Sequence, residues 1–182
     1  IPLGNHISFD YIFSSEQYLS SPTSGQCNFT DGFAFLLKEA SATTYDNLAV
    51  IPGTNIPVKV NTVRGPGTIC PPANATYFDA FNDDNHPTNY NGQTVVLTAQ
   101  ADVIPGQTYH IKLVIADEGN YRYDSAIFLG GGSFNFGIDI GDDRLIADGN
   151  PLCPSETLVV DATQTGATGY QWFQNDIALI GE

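Results

Sequence analysis

The chain has 182 residues, of which 42% are hydrophobic and only 14% charged, with 20 acidic residues against 6 basic ones and a net charge of −14. That apolar content excludes a disordered polymer, and so acidic a surface repels nucleic-acid phosphates and anionic lipid headgroups. No run of about 18 apolar residues is present to cross a membrane, and the surplus carboxylates point instead to divalent cations.

The elements read in chain order as strands. Ile7, Phe9, Tyr11 and Phe13 alternate strictly with Ser8, Asp10 and Ser14, which predicts a half-buried first strand. Phe33, Phe35 and Leu37 repeat the pattern, followed by Leu48 to Ile51 and by Ile56, Val58 and Val60. Residues 62–90 are long, irregular and rich in Pro and Asn, the mark of a functional, mobile or crosslinked loop. Val95, Leu97 and Ala99 form the next strand. Tyr109, Ile111, Leu113 and Ile115 form the clearest one, with His110 and Lys112 on its opposite face. Ala126 and Phe128, then Phe134, Phe136 and Ile138, close the series. Turn signals separate the runs at Pro52-Gly53, Gly65-Pro66-Gly67, Asn91-Gly92, Pro105-Gly106 and Gly130-Gly131-Gly132. No stretch sustains a helical period. The expected fold class is therefore all-β, an antiparallel β-sandwich or jelly-roll-like domain.

Composition shifts near residue 141. Residues 1–140 read as the first domain and 141–152 as a linker. Residues 153–182 read as the first strands of an Ig-like or PKD-like β-sandwich, in which Cys153 precedes Trp172 by a spacing typical of immunoglobulin-like domains. On this reading the partner of Cys153 lies beyond Glu182, and the chain is a piece of a larger extracellular protein.

Four ordered blocks carry a family resemblance. Ile7-Ser8-Phe9-Asp10-Tyr11-Ile12-Phe13-Ser14-Ser15-Glu16-Gln17-Tyr18 resembles the pattern I-S-F-x-Y-x-F-x-S-E-E-Y. Asp31-Gly32-Phe33-Ala34-Phe35-Leu36-Leu37 resembles N-D-x-F-x-F-x-L, and Asn47-Leu48-Ala49-Val50-Ile51-Pro52-Gly53-Thr54 resembles N-I-A-x-I-P-G-T. Tyr109 to Asp117, with Asp124 to Leu129, resembles Y-H-I-K-L-A-I-A-D followed by D-S-A-V-F-L. These are the blocks of the choice-of-anchor L domain, and the resemblance covers roughly residues 1–136. Gln17 stands where that family commonly has a second Glu, Gly32 where a bulkier residue is usual, and the family's N-terminal part is missing. The resemblance implies a module of a large secreted or cell-surface protein, mostly of Bacteroidota and often exported by the type IX secretion system. It implies adhesion or surface attachment without naming a ligand.

The acidic residues supply the first candidate site. Asp117 ends one predicted strand and Asp124 begins the next, so as the base of a hairpin they would sit side by side and repel unless a cation or proton intervened. Glu16 and Asp31 also fall at strand ends. The four together suggest a Ca2+ site, since Ca2+ takes about six to eight oxygens, although EF-hand spacing is absent. The competing reading is that each carboxylate bonds loop amides and fixes a turn, with Arg122 available as an ion-pair partner. Asp79, Asn82, Asp83, Asp84 and Asn85 form a second acidic cluster, read as a solvated loop.

Cys27 and Cys70 both lie in predicted loops, where a disulfide would close a long segment; two free thiols are the alternative. His6, His86 and His110 accompany no nucleophile or metal motif. A glycosidase would need two carboxyls across a sugar-sized cleft, usually lined by Trp, and Trp172 is the one Trp in the chain. Tyr90, Tyr121 and Tyr123 sit beside Asn and Asp in predicted loops, as a weak carbohydrate-binding face would require. The sequence thus reads as a non-catalytic, Ca2+-stabilised extracellular adhesion or surface-display module. Its expected partner is an extracellular glycan, a surface protein or another copy of itself. The alternatives are a lectin-like module of a secreted enzyme and a structural segment of an extracellular fibre.

Overall fold

The computed structural model describes residues 1–2, 4–118, 122–135, 149, 151–153, 155–159, 171–174 and 177–179. Among the described residues, eight strands build the main domain: β1 (His6–Ser15), β2 (Thr30–Glu39), β3 (Asp46–Asn47), β4 (Phe78–Phe81), β5 (Gly92–Thr94), β6 (Leu97–Asp102), β7 (Tyr109–Glu118) and β8 (Ser125–Leu129). Among the described residues the helical content is two short 3-10 turns, at Ser24–Asn28 and Ala75–Tyr77. The all-β expectation holds.

The strand pairs among the described residues of this domain are all antiparallel, and they form two sheets. In the first, β6 and then β5 run along one edge of β1, β8 runs along the other, and β4 pairs β5. Tyr11 therefore has Leu97 on one side and Leu129 on the other. In the second, β2 lies between β3 and β7, and its pairing with β7 is unbroken from Thr30↔Glu118 to Glu39↔Tyr109.

The period-2 pattern decides what lies between the sheets. Ile7, Phe9, Tyr11 and Phe13 of β1 are all buried, as are Phe33, Phe35 and Leu37 of β2. The two sheets meet through aromatic contacts: Phe9 meets Phe35 edge-on at 4.5 Å between centroids, and Tyr11 meets Phe33 at 5.2 Å. Val58, Val60, Val63, Leu97 and Ala99 complete this core. Burial raises the phenol pKa values of Tyr11 and Tyr18 well above the ordinary range. Gly92 sits where the backbone approaches closely; a Cβ there would lie 2.8 Å from Tyr18 Cβ and 2.9 Å from the Ala80 carbonyl oxygen.

Several expectations change in detail. Leu48 to Ile51 and Ile56 to Val60 do not form regular strands. They make a tight return around Gly53 (φ +74°), with the bridges Val50↔Pro57 and Gly32↔Lys59. The irregular segment 62–90 contains β4 and is pinned by a disulfide between Cys27 and Cys70, at a sequence separation of 43. Arg64 reinforces it by donating from Nη2 to the Cys27 carbonyl at 3.1 Å; its burial lowers the guanidinium pKa, against the opposing pull of Tyr18. Gly32 also gains a reason. The Lys59 side chain crosses it to reach Glu118 at 3.1 Å, and a Cβ on Gly32 would meet Lys59 Cγ at 2.9 Å.

The reading of 136–140, most of the linker 141–152 and much of 153–182 lies outside the described residues. Among the residues of that segment that are described, Phe173–Gln174 (β9) pairs with Ile177–Ala178 (β10), and Cys153 is an exposed free thiol.

Candidate functional site

The four carboxylates expected to act together all stand at one end of the sandwich, but not in the arrangement their spacing implied. β7 and β8 are not a hairpin. β7 pairs β2 in one sheet and β8 pairs β1 in the other, so the connection between them crosses from sheet to sheet. The residue opposite Asp117 is consequently Asp31, not Asp124. The long complementary edge of β2 offers β7 ten ladder positions, which a short hairpin with the five-residue β8 could not match.

Face parity explains the rest. Ser15 continues the inward series Ile7, Phe9, Tyr11, Phe13, and Asp31 begins the inward series Phe33, Phe35, Leu37. Ser125 pairs with Ser15, and Asp117 with Asp31, so all four side chains project between the sheets at the same end. There the apolar core gives way to a polar plug. Ser15 is fully buried and Asp31 is 1% exposed.

The hydrogen bonds within the plug run in one direction. The Gln17 amide donates to Ser15 Oγ at 2.9 Å, and the Ser15 and Ser125 hydroxyls bond at 2.7 Å. Ser125 in turn donates to Asp31 Oδ2. Each hydroxyl has one proton, so if Ser125 spends its own on Asp31, Ser15 supplies the other. Asp31 Oδ1 is buried and has no partner in full hydrogen-bonding geometry, although the Asp117 carboxyl and the Glu118 amide lie close enough to act on the group. Burial is the largest influence on Asp31 and raises its pKa. The Ser125 hydroxyl pulls it down, while Asp117, by its charge and by sharing a proton, pushes it up again; the Glu118 amide lowers it slightly.

Glu16 and Asp124 form a separate clamp. The Glu16 amide donates to the Asp124 carbonyl at 2.9 Å, and the Asp124 amide donates to Glu16 Oε2 at 3.0 Å. Asn91 Nδ2 also donates to the Glu16 carbonyl. Glu16 thus ties the start of β8 to the end of β1. Among the described residues, no group of three or more His, Cys, Asp or Glu side chains is placed to hold a metal ion. The four carboxylates make two pairs joined through Ser125, with Asp117 and Asp124 exposed and Glu16 half-buried.

The remaining candidates are dispersed. Tyr90 is half-buried, its ring edge-on to Phe128 at 6.1 Å. Tyr123 is half-buried, and Tyr121 lies outside the described residues. In the second acidic cluster Asp79 accepts from Gln93 Nε2 at 2.9 Å, Asp83 accepts from the Asn85 amide at 3.0 Å, and Asn82 Nδ2 donates to the Tyr90 carbonyl at 2.7 Å. Ser15 and Ser125 went unnoticed in the sequence. Their signal was a polar residue in inward parity at the end of an otherwise apolar alternation.

Residues 1–135 match the Choice-of-anchor L domain, about three quarters of the chain. The chain belongs to that family. No curated protein and no solved structure matches it. Choice-of-anchor domains are of a non-enzymatic, surface-anchoring type, and they mark modules of secreted or surface-associated proteins. Among the described residues, no helix is long and apolar enough to cross a membrane. In this choice-of-anchor L domain the hallmark Ser15-Glu16 and Asp124-Ser125 segments form the polar plug and its clamp.

Proposed function

We propose that the domain is a non-catalytic adhesion or surface-display module of an extracellular protein, with an extracellular glycan or a surface protein as its partner. The observation that carries this reading is the use made of the rim carboxylates. Glu16 is committed to a backbone amide and Asp31 to the hydroxyl of half-buried Ser125. These side chains hold strand ends together, and the staple between Cys27 and Cys70 serves the same end.

Calcium is the finer part of the proposal. Asp31 Oδ1, buried without a partner beside Asp117, is the feature that suits a hard cation. The two carboxylates would supply part of the shell of about six to eight oxygens, and water the rest. Bound there, the ion would cancel the repulsion between the two strand ends and stiffen the rim. Calorimetry on chelator-treated protein is the test. At a few millimolar Ca2+, a site of the affinity common in extracellular modules adds about 1–2 kcal/mol of stability. Absence of both binding heat and a rise in melting temperature removes calcium and leaves a shared proton at the pair.

A further inference from the structure

We infer that the free edge of β7 is a pairing site for a second copy of this chain, whose own β7 adds to it antiparallel and extends the sheet across the dimer.

The first observation is an incomplete inner face. Leu113 and Ile115 pair with Phe35 and Phe33, both buried, and so face the core. Yet each is 46% exposed. Leu129 shares the inner face with buried Tyr11 and is 50% exposed. Between these residues, Phe33 and Ile127 runs an apolar groove of about 230 Å3. At the other end of β7 the same face is closed, because Tyr109 and Ile111 pack against Ile7, Leu37 and Val103. Contiguous apolar exposure on an inner face calls for cover.

The second observation is the backbone. The Phe33 amide donates to Val58 and the Asp31 carbonyl accepts from Val60, so the odd residues of β2 bond away from β7. The even residues of β2 therefore bond to the even residues of β7, through Ala34↔Val114 and Leu36↔Lys112. That leaves Ile111, Leu113 and Ile115 directing their N–H and C=O groups to the outer edge. Among the described residues, β7 pairs on one edge only. An edge of this length with apolar side chains is a template for another strand.

Charge order selects the occupant. β7 carries His110 and Lys112 in its first half and Asp117 and Glu118 at its end. A parallel copy would set like charges together. An antiparallel copy centred on Val114 sets Leu113 against Ile115 of the partner, and His110 against Glu118 of the partner, twice over by symmetry. Two local bonds soften this charge match without removing it: Lys59 already meets Glu118, and Lys112 lies 4.7 Å over the Tyr45 ring. The net charge of −14 on each chain opposes association, so screening by salt tightens the dimer.

Sedimentation equilibrium of the 182-residue chain tests the proposal, with hydrogen exchange on the same samples. A concentration-dependent dimer is expected, in which the Leu113 and Ile115 amides are protected and which tightens several-fold as salt is raised. Ile115→Pro removes an edge donor without touching the β2 ladder and weakens association at least ~100-fold. Leu113→Lys does the same by placing a charge on the edge, and serves alone if the proline variant fails to fold by circular dichroism. Val96→Lys, at a residue 61% exposed in the connection between β5 and β6, leaves the dimer unchanged. A chain monomeric at every concentration overturns the proposal, including one that binds an added apolar β-peptide instead. So does a dimer that persists in both edge variants or leaves the two amides unprotected.

Discussion

Replacing Asp31 by asparagine isolates the energetics of the polar plug. Asparagine has the same shape. Its Oδ1 still accepts from Ser125, and its Nδ2 becomes a donor where the wild type has an oxygen without a partner, next to Asp117. A buried polar atom left unpaired costs about 1–3 kcal/mol, so Asp31→Asn should stabilise the metal-free protein by about 1–2 kcal/mol at neutral pH. For a chain of this size that is a rise of about 2–8 °C in melting temperature. The pH dependence gives an independent check. The folded pKa of Asp31 is raised above its ordinary value of 3.8. Over that interval the native state holds a proton that the unfolded chain has released, so the contribution of Asp31 to stability is full below the ordinary value. It is lost as pH rises through the raised one. Urea unfolding followed by far-ultraviolet circular dichroism, from about pH 4 to about pH 8, should show a wild-type decline with pH that is shallower in Asp31→Asn. A variant less stable than wild type at neutral pH without metal, or one with an unchanged slope, refutes the account of the plug.

Three further outcomes follow from the same structure. Ser125→Ala strips Asp31 of its hydroxyl donor and should cost about 2 kcal/mol at neutral pH and less in acid, read by the same denaturation curves. Cys27→Ser with Cys70→Ser opens a loop whose sequence separation is 43, worth about 4 kcal/mol of chain entropy, and should lower the calorimetric melting temperature by about 8–16 °C. Gly92→Ala drives a methyl group into the Tyr18 Cβ and the Ala80 carbonyl, and should cost about 2–3 kcal/mol in thermal melts.

Face assignments were legible in the sequence, because a period of two leaves no ambiguity once one residue is known to be inside. Phe9 and Phe35 sit where their alternation put them, and Cys27 found Cys70. Strand partners were less accessible. Proximity along the chain favoured a β7–β8 hairpin with Asp117 beside Asp124, whereas a full-length ladder with β2 outweighs it and brings Asp31 to Asp117. Alternation states which way a side chain points and nothing about which neighbour it meets. The strand β4 was hidden for a different reason: Phe78-Asp79-Ala80-Phe81 is too short to show a period inside a stretch rich in Pro and Asn. Ser15 and Ser125 were overlooked because a small hydroxyl is not a conspicuous site residue until the carboxyl it satisfies is seen beside it.

The bond between Cys27 and Cys70 encloses β2, β3 and the return around Gly53 in one covalent ring. A protease that cuts once anywhere inside that ring releases nothing: both pieces stay attached, and the severed ends remain beside the sheet they belong to. Full release needs a second cut or a reductant. Damage to this half of the domain therefore registers as a nick visible on a reducing gel and invisible on a non-reducing one.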